Sequence, residues 1–207
     1  MPRKALFKKE EVVQKAFEIV RANGIEALSA RSLARALGSS SRPIFTLFKS
    51  MEDVHSEVRE KALQVFNSYV ADVSDYLPAF KEYGRRLVTF ANSEVQLFRL
   101  LFLHNLQTYE TMGKMTSYFI DKLSRTYDLT HQEAMTLLSQ CWTYICGMAT
   151  INNNRKETFT NEEIYEMLGR QFVSTLFFIK SGKRMINIIP RKRTSEDDEI
   201  TIDFTKL

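Results

Sequence analysis

At 207 residues and 24.1 kDa, the chain can form one sizeable core, or a small domain with a larger one. Hydrophobic residues at 44% and charged residues at 26% suit a globular protein, and with only 7 Gly and 4 Pro, long helices are favoured. The net charge of +4 is uneven: residues 1–50 hold ten Lys/Arg against four Asp/Glu, while residues 51–182 hold thirteen against sixteen, so a polyanion is drawn to the N-terminal end.

Two cysteines, Cys141 and Cys146, are too few for a disulfide framework. On a helix they point about 140° apart. Reduced core thiols of a cytoplasmic protein are therefore expected. Met1-Pro2-Arg3-Lys4 leads into a charged amphipathic segment rather than a secretory leader. No run approaches the ~18 apolar residues of a membrane span, so no membrane partner is expected.

In chain order, residues 1–8 are a basic lead, either a frayed terminus or an arm that touches phosphate. From Lys9 to Asn23, Val12, Val13, Ala16, Phe17 and Val20 recur at helical spacing, and Asn23-Gly24 is a stop signal. From Ser29 to Ser50 the pattern is two short helices joined by a turn. Ser29 caps the first, which buries Leu33, Ala34 and Leu37 and ends at Gly38. Ser39, Ser40 and Ser41 offer caps for the second, Pro43 falls in its first turn, and Ile44, Leu47 and Phe48 form its apolar face. Such a pair cannot make a core alone. It reads as a helix-turn-helix unit leaning on the Lys9–Asn23 helix.

Ser29, Arg31, Leu33, Ala34, Leu37-Gly38, Ile44-Phe45, Phe48-Lys49 and Met51-Glu52-Asp53-Val54 together resemble the DNA-binding segment of the TetR family of transcriptional regulators. The resemblance covers the first quarter to third of the chain. Beyond it, only length and helical pattern are similar. It departs from the family at Phe45, where tyrosine is common, and at Pro43, where Gly or Thr is commoner.

Ser50 caps a further helix, with Asp53 in the capping-box place, running to about Tyr76 along a stripe that includes Val54, Val58, Ala62, Phe66 and Val73. This helix links head to body. Five more helices are expected: Ala79 to Asn92, Glu94 to His104, Tyr109 to Tyr127, Thr130 to about Ile151, and Thr160 to about Gly182. The expected fold is all-α: a three-helix head over residues 1–50, a linking helix over 51–76, a helical regulatory and dimerisation domain over 77–182, and a tail over 183–207. That tail, β-prone and then charged, reads as a disordered end or an extended strap.

The last two body helices carry more apolar surface than one core face needs. Cys141, Ile145, Met148 and Ala149 on one, and Leu168, Phe172, Leu176 and Ile179 on the other, are the expected interface of a homodimeric four-helix bundle. The resemblance implies the same dimer. Gly147 allows close approach.

For contact with double-stranded DNA, Ser39, Ser40, Ser41 and Arg42 lie at the N-terminal end of the second helix, where base edges are met. Arg42 suits bidentate bonding to a guanine. Phe45 and Thr46 point to a thymine methyl or a phosphate, and Arg31 and Lys49 suit phosphates. Phe66, Tyr69, Phe90, Phe98, Phe102, Tyr109, Met112, Met115, Phe119 and Trp142 are either plain core or the wall of an apolar pocket for a small-molecule effector.

Enzyme chemistry has little footing. His55, His104 and His131 lie in separate segments without ligand partners at i+3 or i+4, and no glycine-rich phosphate loop or G-x-S-x-G elbow is present. No catalytic residue, metal or cofactor is expected. The best reading is a repressor released from a pseudo-palindromic operator by an effector. The alternative is an effector-independent helix-turn-helix adaptor or activator acting through protein contacts.

Overall fold

The computed structural model describes residues 7–103, 114–153 and 159–182, and the regular elements among them are all helical. Helix α1 (Lys9–Asn23) buries Val12, Val13, Ala16, Phe17 and Val20. The Lys8 N–H donates to Glu11 Oε2 at 2.8 Å, and Glu10 and Glu11 suit the positive end of the helix. Gly24, with φ +86°, ends it and donates its N–H to the Val20 carbonyl.

Helix α2 (Ala30–Ala36) opens on a reciprocal cap. Ser32 N–H donates to Ser29 Oγ at 3.1 Å, and Ser29 N–H donates to Ser32 Oγ at 2.9 Å. Gly38 then takes the left-handed conformation, φ +63°, that turns the chain. Helix α3 is short, Ile44–Leu47, and is preceded by a turn in which Ile44 and Phe45 both donate to the Ser41 carbonyl. Helix α4 (Met51–Tyr69) starts at the expected Ser50–Asp53 capping box.

Helix α4 stops at Tyr69 rather than near Tyr76. Arg86 Nη1 donates to the Tyr69 carbonyl at 2.9 Å and pairs with Asp72, so a cation covers the negative helix end. The chain then turns, placing Val70 and Val73 in the core, before Pro78. Helix α5 (Ala79–Ser93) follows. The expected Glu94–His104 helix is interrupted: α6 (Val95–Phe98) passes into a π-helical turn, Arg99–Leu103, whose Leu100 carbonyl accepts from Arg59 Nη1 at 3.1 Å. Helices α7 (Lys114–Tyr127), α8 (His131–Asn153) and α9 (Asn161–Lys180) complete the body. Thr130 with Glu133, and Thr160 with Glu163, cap the last two. The basic lead over residues 1–6, His104, Tyr109, Met112 and the tail lie outside the described residues.

Helix α8 is the centre of the body and packs on α5, α7 and α9, while α1 packs on α4 and α6. One contiguous apolar core runs from Val12 to Leu168. Each fully buried large side chain in it contributes about 1.5–3 kcal/mol. At Gly84 a Cβ would stand 2.8 Å from Leu168 Cδ1 and 3.0 Å from Ile145 Cδ1, so glycine sets how closely α5 approaches α8 and α9. Both cysteines are free, and burial pushes their thiols up to about 12, which leaves them protonated and inert.

Candidate functional site

The head presents one outward face. Ile44 and Phe48 turn inward, at 0% and 5% exposure, so Arg42, Phe45, Thr46 and Lys49 are left outside. Thr46 Oγ1 donates to the Arg42 carbonyl at 3.1 Å, which fixes the first turn. Phe45 is 47% exposed, an unusual place for a phenylalanine beside a complete core. Ser40 is exposed, and Ser39 and Ser41 are half-buried in the turn.

Arg31 lies on the exposed side of α2, and Arg35, one helical turn on, lines with it the open cleft that Ser39, Ser40 and Ser41 close. Sequence reading passed over Arg35, although its i+4 spacing from Arg31 marked it. The side chains of Arg31, Arg35, Arg42 and Lys49 form no ion pair among the described residues. All four are exposed cations of the head. Lys9, by contrast, is paired with Glu57 and stands over the Phe48 ring, so it serves the α1–α4 contact.

Polar links join head and body. Arg21 of α1 grips Glu94 through both carboxylate oxygens, and Arg59 of α4 holds the Leu100 carbonyl. Around Glu82, which is 4% exposed, Arg85, Arg86 and the Tyr165 hydroxyl converge and tie α5 to α9. The Arg85 guanidinium, with Arg86 and Tyr165 adding to it against burial, holds the Glu82 carboxyl down at about 2.

Most described residues of the expected effector wall pack against one another as core. Phe66 meets Phe90 and Phe102 at ring-centroid distances of 5.1 and 5.2 Å, Phe98 stacks on Phe102 at 5.2 Å, and Tyr83 lies 5.9 Å from Trp142. Phe66, Phe90, Phe98, Phe102, Phe119 and Trp142 are each 4% exposed or less, so these rings fill the space between them instead of lining an opening. Tyr69 and Met115 pack at the margin, half-buried. Tyr83 Oη and Trp142 Nε1 have no hydrogen-bond partner in this cluster, and burial raises the Tyr83 phenol well above its ordinary value. Open volume lies beside the cluster. Cavities of about 270 and about 90 Å³ adjoin between α5, α7 and α9, sharing Pro78, Phe80, Tyr127 and Phe172; Phe119 borders the smaller.

The expected interface residues divide by exposure within the single chain. Cys141, Ile145, Met148, Ala149 and Leu168 are 0–5% exposed within a single chain. A side chain covered by its own chain has no surface left for a partner. Phe172, Leu176 and Ile179 are half-buried, and the first two line the larger cavity. The free apolar surface stands one position round: Val173 and Phe177 on α9, at 63% and 75% exposure. On α8, Met135, Thr143, Gly147 and Ile151 are exposed and Ser139 half-buried along one i+4 ridge, and a Cβ on Gly147 would meet nothing within 4 Å.

No group of residues able to hold a metal ion occurs among the described residues, and no described helix is long and apolar enough to cross a membrane.

Fold and site together define an all-α protein with a helix-turn-helix head on a larger helical body. No family model and no curated protein matches the chain. Among solved structures it is similar to a Mesorhizobium loti protein assigned to the TetR family of transcriptional regulators, with a TM-score of 0.54 and 16% identity, covering 82% of this chain and 95% of that one. The chain thus has the fold of the TetR family.

Proposed function

We propose that this chain is a DNA-binding transcriptional regulator: a homodimer that holds a pseudo-palindromic operator through two heads and, as a repressor, leaves it when a small, largely apolar effector binds. In this reading residues 1–50 are the DNA-binding head, 51–76 the link, and 77–182 the regulatory and dimerisation domain. The observation that carries it is the outward face of the head. Arg42, Phe45, Thr46 and Lys49 are exposed together while Ile44 and, just past the short helix, Phe48 are spent on the core, and Arg31 and Arg35 have no ion-pair partner among the described residues. That arrangement suits a polyanion with readable base edges. The TetR-like fold supports the same reading.

The dimer is supported by the exposed apolar side chains of the two helices, Met135 and Ile151 on α8 and Val173 and Phe177 on α9, with Gly147 between the first pair. With two heads, half-sites are spaced about one helical turn apart, or a multiple of it. An effector that binds a splayed arrangement of the heads more tightly lowers operator affinity by population shift. Arg21–Glu94 and Arg59–Leu100 are the contacts through which such a shift reaches α1 and α4.

Selecting bound sites from random duplex DNA tests the reading. A pseudo-palindrome should emerge, and its affinity should fall steeply with salt as phosphates are neutralised. If no sequence is enriched, and binding is absent at low salt, the chain is not a DNA reader and the adaptor alternative takes its place.

A further inference from the structure

The two cavities between α5, α7 and α9 have a floor of Phe80, Phe119, Leu123, Tyr127, Leu168 and Phe172. Two cations stand at the rim: Lys81 beside the larger cavity and Lys122 beside the smaller. No carboxylate is among the described residues that line either one. Neither lysine has an ion-pair partner among the described residues; the Lys81 ammonium rests over the Tyr165 ring, 5.7 Å from its centroid. Gly169 makes the room for it, since a Cβ there would stand 3.0 Å from Lys81 Nζ. The nearby Glu82 is already committed to Arg85, Arg86 and Tyr165, so it does not quench Lys81.

An apolar slot with unpaired ammonium groups at its mouth complements one kind of molecule: a compact apolar body carrying a single anionic head. We propose that this slot binds a small amphipathic carboxylate, its hydrocarbon or aromatic part among Phe80, Tyr127 and Phe172 and its carboxylate at Lys81, with Lys122 adding attraction. At about 270 and about 90 Å³, each cavity falls below the ~300–1,000 Å³ typical of ligand clefts, so a short chain fits and a bulky polycyclic body does not. The larger cavity is also lined by Val173, which belongs to the face proposed for the dimer. Occupancy would therefore be felt where the two copies meet. The binding site stands by itself; its role as the effector's seat rests on the regulator reading.

Calorimetric titration of the full-length protein with decanoate, decanol and decylamine tests this without DNA. Decanoate should bind saturably, decanol about threefold to fivefold more weakly, and decylamine more weakly still. Lys81→Gln should bring decanoate down to the decanol affinity while leaving decanol unchanged, which a merely structural lysine would not do. Leu176→Trp, which fills the slot, should abolish both; a thermal melt confirms that it is folded. Absence of saturable decanoate binding, equal affinity for decanoate and decanol, or an unchanged Lys81→Gln variant would overturn the proposal. Operator DNA is then added in a separate arm. Binding without release from DNA upholds the slot and removes the effector role; release by decanoate upholds both.

Discussion

Arg21 Nε lies 2.8 Å from Glu94 Oε2, and its Nη2 closes the second prong on Oε1, so the last turn of α1 is clamped to the start of α6. The two partners are unequal: the Glu94 side chain is 8% exposed and that of Arg21 53%. Removing the arginine strands a buried carboxylate, whereas neutralising the carboxylate leaves a guanidinium that water still reaches. We expect Arg21→Met to cost about 2–3 kcal/mol and Glu94→Gln about 1 kcal/mol in urea unfolding. Equal costs would mean that Glu94 is better solvated than this geometry allows.

Acid stability should turn on Glu82. Its folded carboxyl is held at about 2, below the ordinary value of 4.5. The stabilisation is therefore complete above about 4.5 and is lost as pH falls through about 2. Across that window the native protein should lose about 2–3 kcal/mol more than Glu82→Gln does. Chemical denaturation at stepped pH measures it, and parallel curves for the two proteins would contradict the assignment.

Arg42 and Lys49 should separate in kind. Arg42→Ala should cost about 1–3 kcal/mol of operator binding and relax the preference at one base pair per half-site. Lys49→Ala should weaken all sequences alike and lower the salt slope by about 1. Binding isotherms on a panel of single-base operator variants decide, since a uniform loss for Arg42→Ala would make it a phosphate contact.

Phe45 has no hydroxyl with which to reach a phosphate, yet it is exposed on the face proposed to read DNA. Its natural contact is a thymine methyl. Replacing operator thymines by uracil, one position at a time, should cost about 0.8 kcal/mol, near fourfold, at one position in each half-site. In Phe45→Ala that penalty should vanish. A penalty that persists in the variant would assign the methyl to another side chain.

Phe177 is 75% exposed and lies one turn along α9 from Val173. Sedimentation should find a dimer at micromolar concentration for the native chain and a folded monomer for Phe177→Glu, because the added charge falls on the proposed seam and not in the core. A native monomer would end the four-helix-bundle reading.

What the sequence determined by itself is the local grammar. The caps at Ser29, Ser50 and Thr160 and the turns at Gly24 and Gly38 follow from hydrogen bonds and backbone freedom spanning a few residues, so they are visible one segment at a time. The inward faces of α1 and α3 were legible as well, and with them the outward set at Arg42, Phe45, Thr46 and Lys49. Tertiary structure alone decided the rest. Helix α4 ends at Tyr69 because Arg86, 17 residues away, takes its carbonyl. Helices α8 and α9 carry more apolar residues than one face needs, so periodicity names those residues but not which of them a neighbouring helix covers. Packing against α5 took Cys141, Ile145, Met148, Ala149 and Leu168 into the core and left Val173, Phe177 and the Gly147 ridge outside. The open volume was hidden for the same reason. Aromatic side chains bury one another wherever helices bring them together, and the void remains where two helix surfaces fail to meet, between Phe80 and Phe172.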